Sequence, residues 1–280
     1  MEAVKLVVSL LYVVFAQLFM CFTAIVVTDR LPNRTKYQPL PDVVLDNTPY
    51  IPWGSDTAEI CLVTLNFMAI MMAVFHKERS LLLRRFSVLA GNLAFLRSAC
   101  IFVTSAPVAD VNEICIVKPE DSFGYRLLRA CRVLVRMGYT SMGSAQCGDY
   151  IFSGHTMIMT LCNLFLNEYT HKRMHVIRIL GWILNFAGML FLILGRSHYT
   201  VDVILGFYIT VAMTNNYHLM ARSESVLSKR KIYHYLIFPL MTLFVADNQE
   251  CRVKDKKVQN NFDIFTNHKE KKCDEKILVC

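Results

Sequence analysis

Long apolar runs alternate with short polar segments along the whole chain, and many of those segments are basic. A bilayer core of roughly 30 Å takes about 20 apolar residues in helical form. Six stretches meet that requirement, at 6–27, 57–75, 86–104, 150–168, 177–195 and 200–219. The pattern predicts an all-α, polytopic membrane protein with six transmembrane helices, its membrane domain covering 1–222 and a basic C-terminal tail covering 223–280. The stretch from Ile232 to Ala246 is short and carries Pro239, so it reads as interfacial or re-entrant rather than as a seventh span. The first run is long for a signal peptide and no clean small-residue cleavage pattern precedes Asp29, so an uncleaved first span is expected.

Composition agrees with a membrane class: 54% of residues are hydrophobic and the mean hydropathy is +0.37. The net charge of +8 does not point to nucleic acid, because Lys and Arg collect beside the apolar runs and in the tail, as they do near anionic lipid. Short-loop basic residues set the orientation. Lys77, Arg79, Arg84 and Arg85, then Lys172, Arg173 and Arg178, then Arg222, Lys229, Arg230 and Lys231 share one side of a six-span arrangement, which is therefore cytosolic. Both chain ends then face the cytosol, and the loops 28–56, 105–149 and 196–199 face the lumen or the exterior. Arg126, Arg129, Arg132 and Arg136 break the rule, but their spacing sets all four on one face of an amphipathic helix lying at the outer interface. Two duties remain open for that face: contact with phospholipid headgroups in general, or holding a substrate phosphate.

The candidate chemistry also falls on the outer side. Cys147-Gly-Asp-Tyr-Ile-Phe-Ser-Gly-His155-Thr156 opens the fourth span, and His198-Tyr-Thr-Val-Asp202 opens the sixth. Ionisable groups at membrane depth are costly unless they face one another or a wet cavity, so both clusters are functional candidates. The four-residue spacing of His198 and Asp202 stacks them on one helical face, where the carboxylate can fix the imidazole tautomer and leave the other nitrogen free to attack. Ser153 and Gly154, at a helix start, offer backbone N–H groups and the positive dipole end to a phosphate. His155 is then placed to protonate a leaving alkoxide.

These two segments resemble the signatures of the sphingomyelin synthase family, itself similar to lipid phosphate phosphatases. Pro39-Leu40-Pro41-Asp42 resembles the family's Pro-rich first-loop motif, and Arg84-Arg85-Phe86 with Gly91, Arg97 and Pro107 resembles its third-span motif, so the likeness covers roughly residues 8 to 220. It implies a transferase that moves a phosphoalcohol headgroup from a glycerophospholipid, phosphatidylcholine or phosphatidylethanolamine, to ceramide, releasing diacylglycerol. The implied compartment is the lumenal face of the Golgi or ER, or the outer face of the plasma membrane. Carried over, the family's catalytic triad falls on His155, His198 and Asp202; Arg126, Arg129 and Tyr199 join Ser153 and Gly154 as candidates for the phosphate or headgroup. Three departures stand: Ala94 or Phe95 where a Tyr is usual, Gln38 where a second Pro is common, and a divergent tail beyond Arg222. The expected relative is one without a sterile-alpha-motif domain ahead of the first span.

The expected mechanism is a two-step displacement through a phospho-histidine on His198, with a shielded pocket that favours a lipid alcohol over water. Neither a metal nor another cofactor is expected, since the Cys lack paired ligand spacing and no Gly-rich nucleotide loop appears. A homo-oligomer is compatible with the pattern. Two rival readings are a lipid phosphate phosphatase and a non-catalytic transporter or scaffold; the phosphatases' Arg before the last His lands on Leu192 here. For the headgroup, Tyr125, Tyr139, Tyr150, Phe152 and Tyr199 supply aromatic faces suited to choline, against the acidic Glu113, Glu120, Asp121 and Asp149 suited to ethanolamine. The aromatic supply favours choline. Smaller expectations are a sequon at Asn33 too near the first span for use, a disulfide between Cys115 and Cys147 with Cys131 as competitor, and palmitoylation of Cys273 and Cys280.

Overall fold

The computed structural model describes residues 2–32, 37–110, 122–135, 150–170 and 174–222, with side chains to residue 219. The described residues form eight helices and no strand: α1 (Glu2–Asp29), α2 (Val43–Asn47), α3 (Gly54–Phe75), α4 (Arg79–Val103), α5 (Phe123–Val135), α6 (Gly154–Tyr169), α7 (His175–Leu194) and α8 (Thr200–Arg222). The sequon at Asn33, the Cys115 and Cys147 pair, Arg136 and the tail cysteines lie outside the described residues. Cys131, the competing disulfide partner, is a free, exposed thiol.

Among the described residues, four helices are long and apolar enough to cross a bilayer: α1 from Ala3 onward, α3, α4 and α7. They carry rows of exposed apolar side chains, such as Val4, Val7, Leu11, Val14 and Phe15 on α1, and Val176, Ile179, Ile183, Phe186 and Leu190 on α7. On a water-soluble protein such rows would aggregate, whereas lipid covers them at no cost. The expectation of six spans included two more helices. Of these, α6 has 16 residues and is buried nearly all round, from Thr156 and Met157 to Phe165 and Leu166. The other, α8, dilutes its apolar run with Thr210, Thr214, Asn215 and Asn216.

The helices pack as two groups. In one, α1 lies against α4 and α5; in the other, α3 packs on both α6 and α7, and α6 on α7. Small residues set the closest approaches, as they must where helices meet without a hydrophobic driving force. A side chain at Gly91 of α4 would meet the ring of Tyr12 of α1 at 2.5 Å, and the Tyr12 hydroxyl donates to Asn92 Oδ1 at 2.7 Å. At the α3 and α7 crossing, a side chain at Gly54 would meet the backbone nitrogen of Gly195 at 2.8 Å. The second group is filled by Ala58, Leu62, Leu65, Met159, Cys162, Leu166, Leu192 and Val203, with Phe186 of α7 against Phe207 of α8.

The arginine-rich helix is α5, and its polar face meets α1. Arg126 Nε lies 3.1 Å and Arg129 Nη1 3.9 Å from the carboxylate of Asp29, the last residue of α1, while Ala130 and Val133 pack on Cys21 and Ile25.

Candidate active site

Every element around His198 is anchored at its ends. Upstream, α7 closes in a Schellman motif: Arg196 N–H bonds Ile193 O at 2.9 Å and Ser197 N–H bonds Leu192 O at 3.1 Å. The left-handed position of that motif, usually glycine, is held here by Arg196 at φ 53°. Glycine sits one residue earlier instead, because Gly195 must let the backbone of Ser55 approach to 2.6 Å of where a side chain would begin. The Ser55 and Ser197 hydroxyls then hydrogen-bond one another, tying the loop to α3.

Downstream, α8 starts at Thr200, so His198 stands on the turn before the helix and Asp202 within its first turn. Sequence spacing put both residues on one helical face; the turn at Tyr199 brings them together instead. Asp202 Oδ2 lies 3.9 Å from His198 Nδ1 and accepts the Tyr199 N–H at 3.1 Å. The first distance is longer than a hydrogen bond, and catalytic hydrogen bonds commonly tighten when substrate binds. Both side chains are buried. Burial, then His155, then Arg97 push the His198 imidazole well below its ordinary value, so it is neutral at neutral pH.

His155 arrives from α6. The Ser153 side chain caps that helix by accepting the Thr156 N–H at 3.3 Å, the arrangement expected of a Ser-Gly-His start. Ser153 N–H in turn bonds the carbonyl of Asp202 at 3.0 Å, and a side chain at Gly206 of α8 would meet Ser153 O at 3.1 Å. The two signature segments are therefore joined backbone to backbone. The His155 and His198 ring centroids are 6.1 Å apart, with the Tyr150 ring edge-on to His198 at 5.9 Å.

A cavity of about 500 Å³ opens beside these residues. Gly154, His155, Tyr150 and His198 line its head, with Tyr50, Asp110 and Arg196, and it runs down between α1 and α3 past Met20, Leu62 and Asn66 to Ile70. A site of this size, with polar and charged groups gathered about the histidines and apolar side chains such as Met20, Ala24, Leu62 and Ile70 along its length, fits a lipid whose reacting end meets the histidines.

Two lining residues were not among the sequence candidates. Glu59 is a buried carboxylate near the start of α3 and of its apolar run, a placement that itself signals function in a membrane protein, and it bears electrostatically on His155. Arg97 appeared in the sequence only as part of a motif match. It reaches from α4 beneath the start of α6, donating from Nε to Phe152 O at 2.9 Å, and a side chain on Gly154 would meet its Nη1 at 2.8 Å. Phe152 turns that carbonyl inward by adopting φ 42°, a conformation a Phe takes only under constraint.

The remaining sequence candidates are placed elsewhere. Arg126 and Arg129 are held by Asp29 and do not line the cavity. The Tyr199 hydroxyl turns away from it, donating to Pro107 O at 3.0 Å and accepting Leu40 N–H at 3.1 Å.

Residues 146–219, which contain His155, His198 and Asp202, match the PAP2 superfamily C-terminal domain. Over 249 residues, 89% of the chain, the sequence is 36% identical to Sphingomyelin synthase-related protein 1 of Mus musculus and 35% identical to that of Homo sapiens, covering 51% and 58% of those proteins. Over 225 residues, 80% of the chain, it is 32% identical to Phosphatidylcholine:ceramide cholinephosphotransferase 1 of Gallus gallus, covering 54% of it. The chain thus spans between half and three-fifths of the length of these curated relatives. A chain whose described elements are all helical, with four helices of membrane-spanning length and a PAP2-type C-terminal domain, is the class these features define. Within that class, the curated proteins it is similar to over most of its length are sphingomyelin synthase-related proteins and phosphatidylcholine:ceramide cholinephosphotransferases.

Proposed function

We propose that the chain is a ceramide phosphotransferase, moving a phosphoalcohol headgroup from a glycerophospholipid to the primary hydroxyl of ceramide. The observation that carries the reading is the facing pair His155 and His198 at the head of a lipid-sized cavity, with Asp202 behind His198.

In the first step a His198 ring nitrogen attacks phosphorus, the bond from phosphorus to the glycerol oxygen breaks, and His155 gives that oxygen its proton, releasing diacylglycerol. In the second step His155 takes the proton of the ceramide hydroxyl, whose oxygen attacks phosphorus and frees His198. Asp202 holds the imidazole while it carries positive charge. Arg97 is the cation we assign to the phosphate oxygens, working with the N–H groups at the start of α6. Glu59 balances His155 when it is protonated.

Transfer is favoured over hydrolysis because apolar side chains of α1 and α3 line the cavity beside the histidines and because Leu192 occupies the place of the phosphatases' arginine; Leu192 is buried and lines the cavity. Phosphocholine is the first headgroup to test, since Tyr50 and Tyr150 offer ring faces at the cavity head. Phosphoethanolamine is the second, since Asp110 and Glu59 offer acceptors there. We also infer six spans, with α6 crossing inside the bundle and α8 crossing with an exposed apolar face that includes Val201, Ile204 and Tyr208, both chain ends cytosolic and the site on the lumenal or outer face of an endomembrane or the plasma membrane.

The test is conversion of a fluorescent ceramide by the purified chain in vesicles, with phosphatidylcholine and phosphatidylethanolamine supplied separately and then together at equal concentration. Donor-dependent appearance of a phosphorylated ceramide product supports the transferase. Release of phosphate or phosphoalcohol with the ceramide unchanged would replace it with a phosphatase, and no turnover of either kind with a scaffold.

A further inference from the structure

The Pro39-Leu40-Pro41-Asp42 segment lies far from both signatures in sequence, yet in space it grips the residues between His198 and Asp202. Helix starts leave their first N–H groups without partners, and Ser, Thr, Asp or Asn normally supplies the missing acceptor. At the start of α8 the capping position is Tyr199, whose hydroxyl is already committed to Leu40 and Pro107. The acceptor comes instead from Asp42, 158 residues away: its Oδ2 takes the Thr200 N–H at 2.7 Å and its Oδ1 the Thr200 hydroxyl at 2.9 Å. The same carboxylate caps α2, accepting Val44 N–H at 2.9 Å and Leu45 N–H at 3.3 Å.

Asp202 grips the same turn from within, reaching back to the Tyr199 N–H at 3.1 Å. That is one half of a capping box; the half normally supplied by a Ser or Thr cap is replaced by an acceptor from another element. The turn is thus held between two carboxylates, and His198 stands one residue before it. Pro39 and Pro41 restrict the backbone leading to Asp42, so the grip is preformed.

We propose that Asp42 is a positioning residue for the headgroup transfer: by clamping the first turn of α8 it holds His198 and Asp202 in register with His155. This rests on the transferase reading above for its kinetic consequence, though not for its geometry. Burial raises the Asp42 carboxyl, but hydrogen bonds from Thr200, Leu45 and Val44 outweigh it and hold the group below its ordinary value, so the clamp is charged at neutral pH.

The experiment compares Asp42→Ala, Asp42→Asn and Thr200→Val with Asp46→Asn, a neighbouring exposed acid on α2. Misplacing a reacting group by about 1 Å costs up to about a hundredfold in rate, so kcat of Asp42→Ala should fall at least tenfold, with KM for ceramide within about twofold of wild type. Thr200→Val should lose less, and the double variant should be no slower than Asp42→Ala alone, since the one contact that Thr200→Val removes is among those already lost in Asp42→Ala. Asp46→Asn should match wild type. Where Asp42→Ala fails to fold, Asp42→Asn, which keeps the shape and one acceptor, should show a smaller loss of kcat at unchanged KM.

A second measurement needs no substrate. Diethyl pyrocarbonate modification of His198, followed by mass spectrometry of the full-length chain in vesicles, should quicken several-fold in the folded Asp42 variant and stay at the wild-type rate in Asp46→Asn. If wild type transfers nothing, the transferase reading fails while this measurement still decides the clamp. A folded Asp42 variant with wild-type modification of His198, or with wild-type kcat beside an active parent, would overturn the proposal.

Discussion

His155 and His198 face one another with ring centroids 6.1 Å apart, although one lies at the start of α6 and the other on the turn before α8. In the proposed mechanism that gap would take a phosphorus, with an attacking nitrogen on one side and a departing oxygen on the other, each about 3 Å from its partner.

The first prediction follows from the division of labour across that gap. His198→Ala should abolish transfer, and His155→Ala and Asp202→Asn should lower it by about 10²–10⁴-fold, the range for removing an acid, base or orienting group. Insertion into membranes should be unchanged in all three. Near wild-type turnover in any of them would remove that residue from the catalytic set.

A second concerns pH. In the proposed mechanism His198 attacks as the neutral imidazole, and burial with His155 and Arg97 nearby depresses its protonation. Lowering the pH must pass below the ordinary histidine value, about 6.5, before the nucleophile is protonated. The acid limb of kcat/KM should therefore fall below pH 6.5 and be absent between that value and neutrality. A profile measured on vesicles with the limb at or above 6.5 would mean that His198 is not held neutral.

The third uses the contact between α4 and α6. In Gly154→Ala the new carbon would lie 2.8 Å from Arg97 Nη1, and the guanidinium cannot swing away without giving up Phe152 O. The overpacking should cost about 1–3 kcal/mol in stability. Transfer should fall by about tenfold or more if a displaced charge loses the phosphate. Arg97→Lys should not restore activity, because an ammonium cannot hold that fork. A Gly154→Ala enzyme with reduced stability and full activity would free Arg97 from its assigned role.

A fourth tests topology. Basic short loops predict a cytosolic C-terminus, so in sealed microsomes a C-terminal tag should be digested by added protease without detergent. Protection of the tag until detergent is added would invert the arrangement.

What the sequence revealed divides along physical lines. All six apolar runs coincide with helices, because burying a backbone in lipid leaves helix as the only economical choice for such residues. Their number as true crossings is less legible: α6 has 16 residues and is enclosed by other helices, a tertiary fact that hydropathy does not encode. In the site, the signature segments were visible since His and Asp are rare in apolar runs. Glu59 carried the same signal and was passed over, since no neighbouring motif drew attention to it. The clamp from Asp42 to Thr200 could not be read at all, because nothing local links residues 158 positions apart. Arg126 and Arg129 were correctly set on one helical face, but which partner that face meets depends on where α1 ends.

The left-handed Arg196 sets backbone strain against side-chain contacts in one residue. A glycine there would relieve a backbone strain of roughly 1 kcal/mol, yet the chain keeps a side chain whose guanidinium lies over the Tyr50 ring at 5.7 Å and bonds Leu45 O at 3.3 Å. Its cation lines the cavity head beside Asp110. Arg196→Gly should consequently melt no lower than wild type while turning over headgroups more slowly, a trade-off that thermal unfolding and the transfer assay, run on one preparation, would expose. Selection for thermostability alone would be expected to discard this arginine early.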